Sequence, residues 1–89
     1  ISVLSNIAPA QTHAICQAFF DGDTAKARDL QLEMLPLSDA LFCEVNPIPV
    51  KDALNQMGMP SGPCRMPLYE MSDEHKAALH DALAAHGLV

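Results

Sequence analysis

Eighty-nine residues suffice for one small domain, but a chain this short buries little of its unfolded surface and stands alone only marginally. Hydrophobic residues make up 49% and charged residues 18%, which is too apolar for a disordered tail. Eleven acidic residues against five basic ones leave a net charge of −6, with no Lys or Arg cluster to track a phosphate backbone, so nucleic acid is excluded as an expected partner.

No apolar run approaches the length of a membrane span, and no basic flank opens a signal peptide, so no membrane association is expected and the chain reads as soluble and cytoplasmic. Cys16, Cys43 and Cys64 are widely spaced and odd in number; they suggest reduced thiols, neither a disulfide framework nor a zinc ribbon. The first residue is not Met, and Ile1 to Leu4 begins at once in apolar, β-branched sequence. The expectation is a piece of something larger.

Ile1-Ser2-Val3-Leu4 has strand-forming residues, too few to make a sheet without neighbours. Ser5 and Asn6 offer capping side chains and Pro9 suits a first helical turn, which predicts a helix over about Pro9 to Phe20. Ile7, Ala14, Ile15, Ala18 and Phe19 supply its apolar face before Asp21-Gly22-Asp23 breaks the pattern. Asp23 or Thr24 can cap a second helix reaching to about Phe42. Ala27, Leu30, Met34, Leu37 and Leu41 form one stripe on it within roughly 80°, while Leu32, Leu35 and Phe42 lie on another flank, so two faces seek burial. Pro36 removes a backbone donor inside this helix, and because the apolar pattern resumes beyond it, a kink is expected instead of a stop.

Asn46-Pro47-Ile48-Pro49 forces a turn or extended entry. A third helix is predicted from about Pro49 to Met57, with Gly58 as its C-cap and an irregular connection over Met59 to Pro67. Ser72, followed by Asp73 and Glu74, caps a fourth helix that packs through Ala78, Leu79, Ala82 and Leu83 and closes at His86 and Gly87. The sum is a short strand and four helices. A free-standing bundle would leave the strand and the second face of the second helix without partners; an α/β parent explains both leftovers.

Two stretches resemble the 4-hydroxy-tetrahydrodipicolinate synthase family, which belongs to the pyruvate-dependent Schiff-base aldolases. Ile1-Ser2-Val3-Leu4-Ser5-Asn6-Ile7-Ala8-Pro9 is similar to the family's I-S-V-T-[SA]-N-[VI]-A-P. Leu41-Phe42-Cys43-Glu44-Val45-Asn46-Pro47-Ile48-Pro49-Val50-Lys51 is similar to its L-F-x-E-P-N-P-I-P-V-K. Between them, Gly22 to Arg28 resembles G-[DH]-[FY]-x-x-A-R. Leu4, Thr24 and Val45 depart from the family's usual Thr, aromatic residue and Pro.

The resemblance covers nearly all of this chain and about the last third of a typical member. It implies an α/β TIM barrel parent, of which this segment is mainly α. Residues 1–22 would be the end of the last barrel strand and the last barrel helix, and residues 23–89 a C-terminal helical appendix. The family condenses pyruvate with aspartate semialdehyde through a lysine Schiff base, in diaminopimelate and lysine biosynthesis, as a homo-oligomer expected to be a tetramer. The imine acidifies the pyruvate methyl without any metal or bound cofactor. The resemblance leaves two alternatives open: another pyruvate aldolase, similar to N-acetylneuraminate lyase, or a helical interaction module that grips a partner helix.

The family's catalytic lysine lies upstream, so no catalytic residue is expected here, and Lys26, Lys51 and Lys76 fall on helices beside polar residues where imine formation is disfavoured. Lys51 is expected in an ion pair or cap. Ile1 is the first substrate-binding candidate, placed by the resemblance at the edge of the pyruvate pocket; from composition alone it would be plain core. Asn46 is the second, its amide facing the substrate entrance, although Asn before Pro is also a common turn former. His13 and Cys16 stand three apart without a third metal ligand, and no metal site is expected. His75, His80 and His86 suit solvated or capping roles, and Tyr69 suits packing.

Overall fold

The computed structural model describes all residues from Ile1 to Val89. A 3-10 turn at Leu4–Asn6 leads into α1 (Pro9–Phe20), α2 (Thr24–Ala40), α3 (Ile48–Gln56) and α4 (Asp73–Ala85). The expected strand is absent: Ile1 and Ser2 have no regular structure, and Leu4 has already entered the turn. A strand is held by hydrogen bonds to its neighbours, and this chain supplies no second strand to bond.

The caps explain the helix limits. Pro9 opens α1 where its missing donor costs nothing, and Asp23 opens α2 by accepting the Lys26 N–H at 3.0 Å, which decides between the two capping candidates. Ser72 opens α4 by accepting the His75 N–H at 3.3 Å, with Asp73 and Glu74 in the first turn facing the positive end of the helix dipole. At the other end of α4, the Gly87 N–H bonds Ala84 O at 3.0 Å and the Leu88 N–H bonds Leu83 O at 3.0 Å. This double closure needs the left-handed conformation that Gly87 holds at φ 69°. Gly22 closes α1 in the same way, at φ 82°.

Helix α2 runs through Pro36 without interruption. It packs against α1 on one side and α4 on another, α4 in turn packs on α3, and the 3-10 turn touches both α1 and α3. The core gathers Ile7, Met34, Leu37 and Leu41 with Ile48 and Ala53 of α3 and Leu79 and Leu83 of α4. The α2 stripe is buried as its periodicity predicts, apart from half-buried Leu30.

The opposite flank is not covered: Leu32, Leu35 and Phe42 are 55%, 40% and 59% exposed. Nor are all the apolar positions on the packing faces of α1 and α4 buried, since Phe19 is 63% exposed and Ala78 is also exposed. Accessible area totals 5697 Å² for 9.6 kDa, against about 5,100 Å² for a compact monomer of this mass. The molecule measures 44 × 23 × 21 Å. It is elongated, with surplus apolar surface along the α1–α2 side.

Candidate functional site

The two motif segments meet in the fold. Ile7 and Ala8, from the first, share one buried cluster with Ile48 and Val50, from the second. This places the N-terminal end of the chain beside the start of α3. Neither expected substrate contact is buried: Asn46 is exposed in the α2–α3 connection, joined to Pro47 by a cis peptide bond, and Ile1 lies fully exposed ahead of the 3-10 turn. The plain-core reading of Ile1 is therefore corrected. A terminal aliphatic residue with no strand beside it has nothing to pack against.

Next to Asn46, Glu44 organises the connection. Its Oε2 accepts the Ser72 N–H at 2.9 Å and lies 2.8 Å from His75 Nδ1. One carboxylate oxygen thus ties the α2–α3 connection to the first turn of α4, across 28 and 31 positions of sequence. These two hydrogen bonds, the Ser72 N–H first and the His75 ring second, hold the Glu44 carboxyl below the usual carboxylate range. Desolvation, reinforced by the Glu44 carboxylate, pushes the adjacent Cys43 thiol up, so it has little thiolate at neutral pH and is a poor nucleophile. Sequence reasoning quoted Glu44 within its motif but gave it no role. The cap at Ser72 was a visible signal; the partner across the fold was not.

Lys51 follows at the motif's end. It is half-buried and its Nζ donates to Pro63 O at 2.7 Å, pinning the irregular connection back on α3; Asn55 assists by donating to Gly62 O and accepting from the Ser61 N–H. The expected ion pair or cap is replaced by a tie to a backbone carbonyl of the connection, neither an acid nor a helix end. Lys51 and Lys76 border an open cleft of about 300 Å³, together with Asp52, Asn55, Cys64 and Tyr69. Tyr69 is 70% exposed, which corrects its assignment to packing: it lines the cleft and buries little.

Lys76 lies 3.8 Å from Glu70, and neither lysine sits in the dry pocket that a Schiff-base amine requires. His13 and Cys16 are both exposed on α1, and no three potential metal ligands converge anywhere in the chain. His80 and His86 are hydrogen-bonded to Gln56 and to backbone carbonyls respectively. No helix is long and apolar enough to cross a membrane.

Asn46 presents an amide, Glu44 is committed to α4, and no side chain described above is set up as nucleophile or base. A family model described as the dihydrodipicolinate synthetase family matches residues 1–86. The chain belongs to this family.

Among curated relatives, the 4-hydroxy-tetrahydrodipicolinate synthase of Lachnoclostridium phytofermentans is 58% identical over 89 residues, covering all of this chain and 30% of the relative. Two solved structures extend the likeness to three dimensions. A monomeric dihydrodipicolinate synthase variant superposes with a TM-score of 0.94 at 42% identity, over 100% of this chain and 30% of that one. The chloride-inhibited dihydrodipicolinate synthase of Acinetobacter baumannii, complexed with pyruvate, superposes with a TM-score of 0.91 at 38% identity, over 100% and 31%. The chain thus spans about 30% of the length of the curated relatives it matches.

Proposed function

We propose that this chain is the closing segment of a lyase that condenses pyruvate with aspartate semialdehyde to 4-hydroxy-tetrahydrodipicolinate, through a Schiff base on a lysine outside these residues. The observation that carries this reading is the unbroken 58% identity over 89 residues to a 4-hydroxy-tetrahydrodipicolinate synthase. The same relatives favour it over an N-acetylneuraminate lyase-like activity or a helical interaction module.

In the parent, residues 1–22 form the end of the last strand of a TIM barrel and its last helix, and residues 23–89 form the helical appendix. The surplus apolar surface on the α1–α2 side supports this division, because a barrel wall would cover what the isolated segment leaves wet. The Ile1 end then gains the neighbours that a strand needs. Ile1 lines the pyruvate pocket through its shape and backbone, and Asn46 faces the entrance. Electron withdrawal comes from the imine itself, so the chemistry calls for no metal or bound cofactor. The full protein is a cytoplasmic homo-oligomer, a tetramer by family resemblance, although one solved relative is a monomeric variant.

Borohydride reduction of the full-length protein in the presence of pyruvate, followed by peptide mapping, tests the reading. The label is expected on one lysine outside residues 1–89. Labelling of Lys26, Lys51 or Lys76, or no labelling at all, would overturn it.

A further inference from the structure

His86 stands at the C-terminal cap of α4, where helix carbonyls lose their intrahelical donors. Its own N–H turns back to Leu83 O at 3.1 Å, leaving the Ala82 carbonyl for the side chain: Nδ1 is 2.9 Å from Ala82 O, and Nε2 is 3.1 Å from Glu33 O on α2. Both partners only accept. A neutral imidazole carries one N–H and can satisfy one of them; an imidazolium satisfies both. The surroundings favour the cation. The Glu33 carboxylate is the charged group acting on it from α2, and the C-terminal end of α4 carries partial negative charge. On α4 itself, His80 is bonded to Gln56 and Asp81 is exposed to solvent. The contact with α2 falls in the turn before Pro36, which has no N–H to give the Leu32 carbonyl.

We propose that His86 is a protonation-operated clasp, whose imidazolium fastens the end of α4 to α2 and whose neutral form lets go of one of the two carbonyls. What the clasp controls is the last turn and the residues beyond it, including Leu88, which packs half-buried against the core. The hydrogen bonds to Ala82 and Glu33, in that order, hold the imidazole above the usual histidine range. Because the folded form binds the proton more tightly, the contribution is complete below the ordinary histidine value of about 6.5 and is lost as pH rises through the higher folded value. The device is therefore closed in mild acid and loosens as pH rises through that higher folded value.

The test uses the full-length protein with isotope-labelled histidine, so that the His86 ring is titrated by NMR while hydrogen exchange follows the peptide covering residues 83–89. The His86 ring is expected to titrate above about 6.5, and protection of that peptide to fall about fivefold across the same interval, the equivalent of one hydrogen bond. His86→Gln, which cannot take up a proton, should remove the pH dependence whatever its basal protection. Titration of His86 at or below about 6.5, or a pH-dependent loss of protection that persists in His86→Gln, would overturn the proposal.

Discussion

Leu32 and Leu37 lie on the same helix, five positions apart, and truncation of each in the full-length protein distinguishes what this segment buries by itself from what its parent buries. Leu37 is 0% exposed, so Leu37→Ala should cost about 2–5 kcal/mol, the removed methyl groups and the cavity left behind contributing together. Leu32 is 55% exposed. With about half of a leucine's 1.5–3 kcal/mol already in hand, Leu32→Ala would cost only about 1 kcal/mol if that flank of α2 faced water. The expectation is otherwise: once the rest of the parent or a second subunit covers the flank, Leu32→Ala should approach the cost of Leu37→Ala. Denaturant unfolding followed by circular dichroism measures both, with midpoints compared at constant slope. A Leu32→Ala cost that stays near 1 kcal/mol while Leu37→Ala reaches its range would refute the covered flank, and with it the main physical support for the barrel parent.

Two further outcomes concern α4. Ser72→Ala removes the acceptor of the His75 N–H and should lower stability by about 1 kcal/mol, with fraying confined to the first turn of α4 in hydrogen exchange; loss of protection spread evenly along the helix would contradict the cap. Glu44 has a folded value held below its usual one, so its contribution is present above the ordinary carboxylate range and disappears as pH falls through the lower folded value. Glu44→Gln should therefore flatten the acid limb of the stability profile, and an unchanged limb would show that the tie to Ser72 and His75 adds nothing.

The helices were legible because their signals are local. Pro9, Asp23, Ser72 and the glycines after α1 and α4 act within a turn of the ends they set, and the 3.6-residue stripe from Ala27 to Leu41 is a property of α2 alone. The strand does not form here for the opposite reason: β-branched residues at Ile1 to Val3 state a preference that only a neighbouring strand can realise. The exposure of Phe19 and Ala78 has the same origin, since periodicity marks a face but not whether anything arrives to cover it. At the candidate site, Asn46 and Ile1 came from motif likeness. Glu44 and His86 were missed as cross-links because their partners lie 28 to 53 positions away, a relation no spacing rule encodes.

The order in which contacts close along the chain has a consequence for synthesis. Helices α1 and α2 are joined by Asp21–Asp23 and pack on each other, so this hairpin can assemble as soon as it leaves the ribosome. The core face beside it stays open longer, because Leu79 and Leu83, 1% and 0% exposed when folded, lie on α4 and are made only after α3. Until they arrive, Leu37 and Leu41 lack the α4 side of the core they share. Nonsense codons or proteolytic nicks just before α4 should therefore give a sticky, short-lived product.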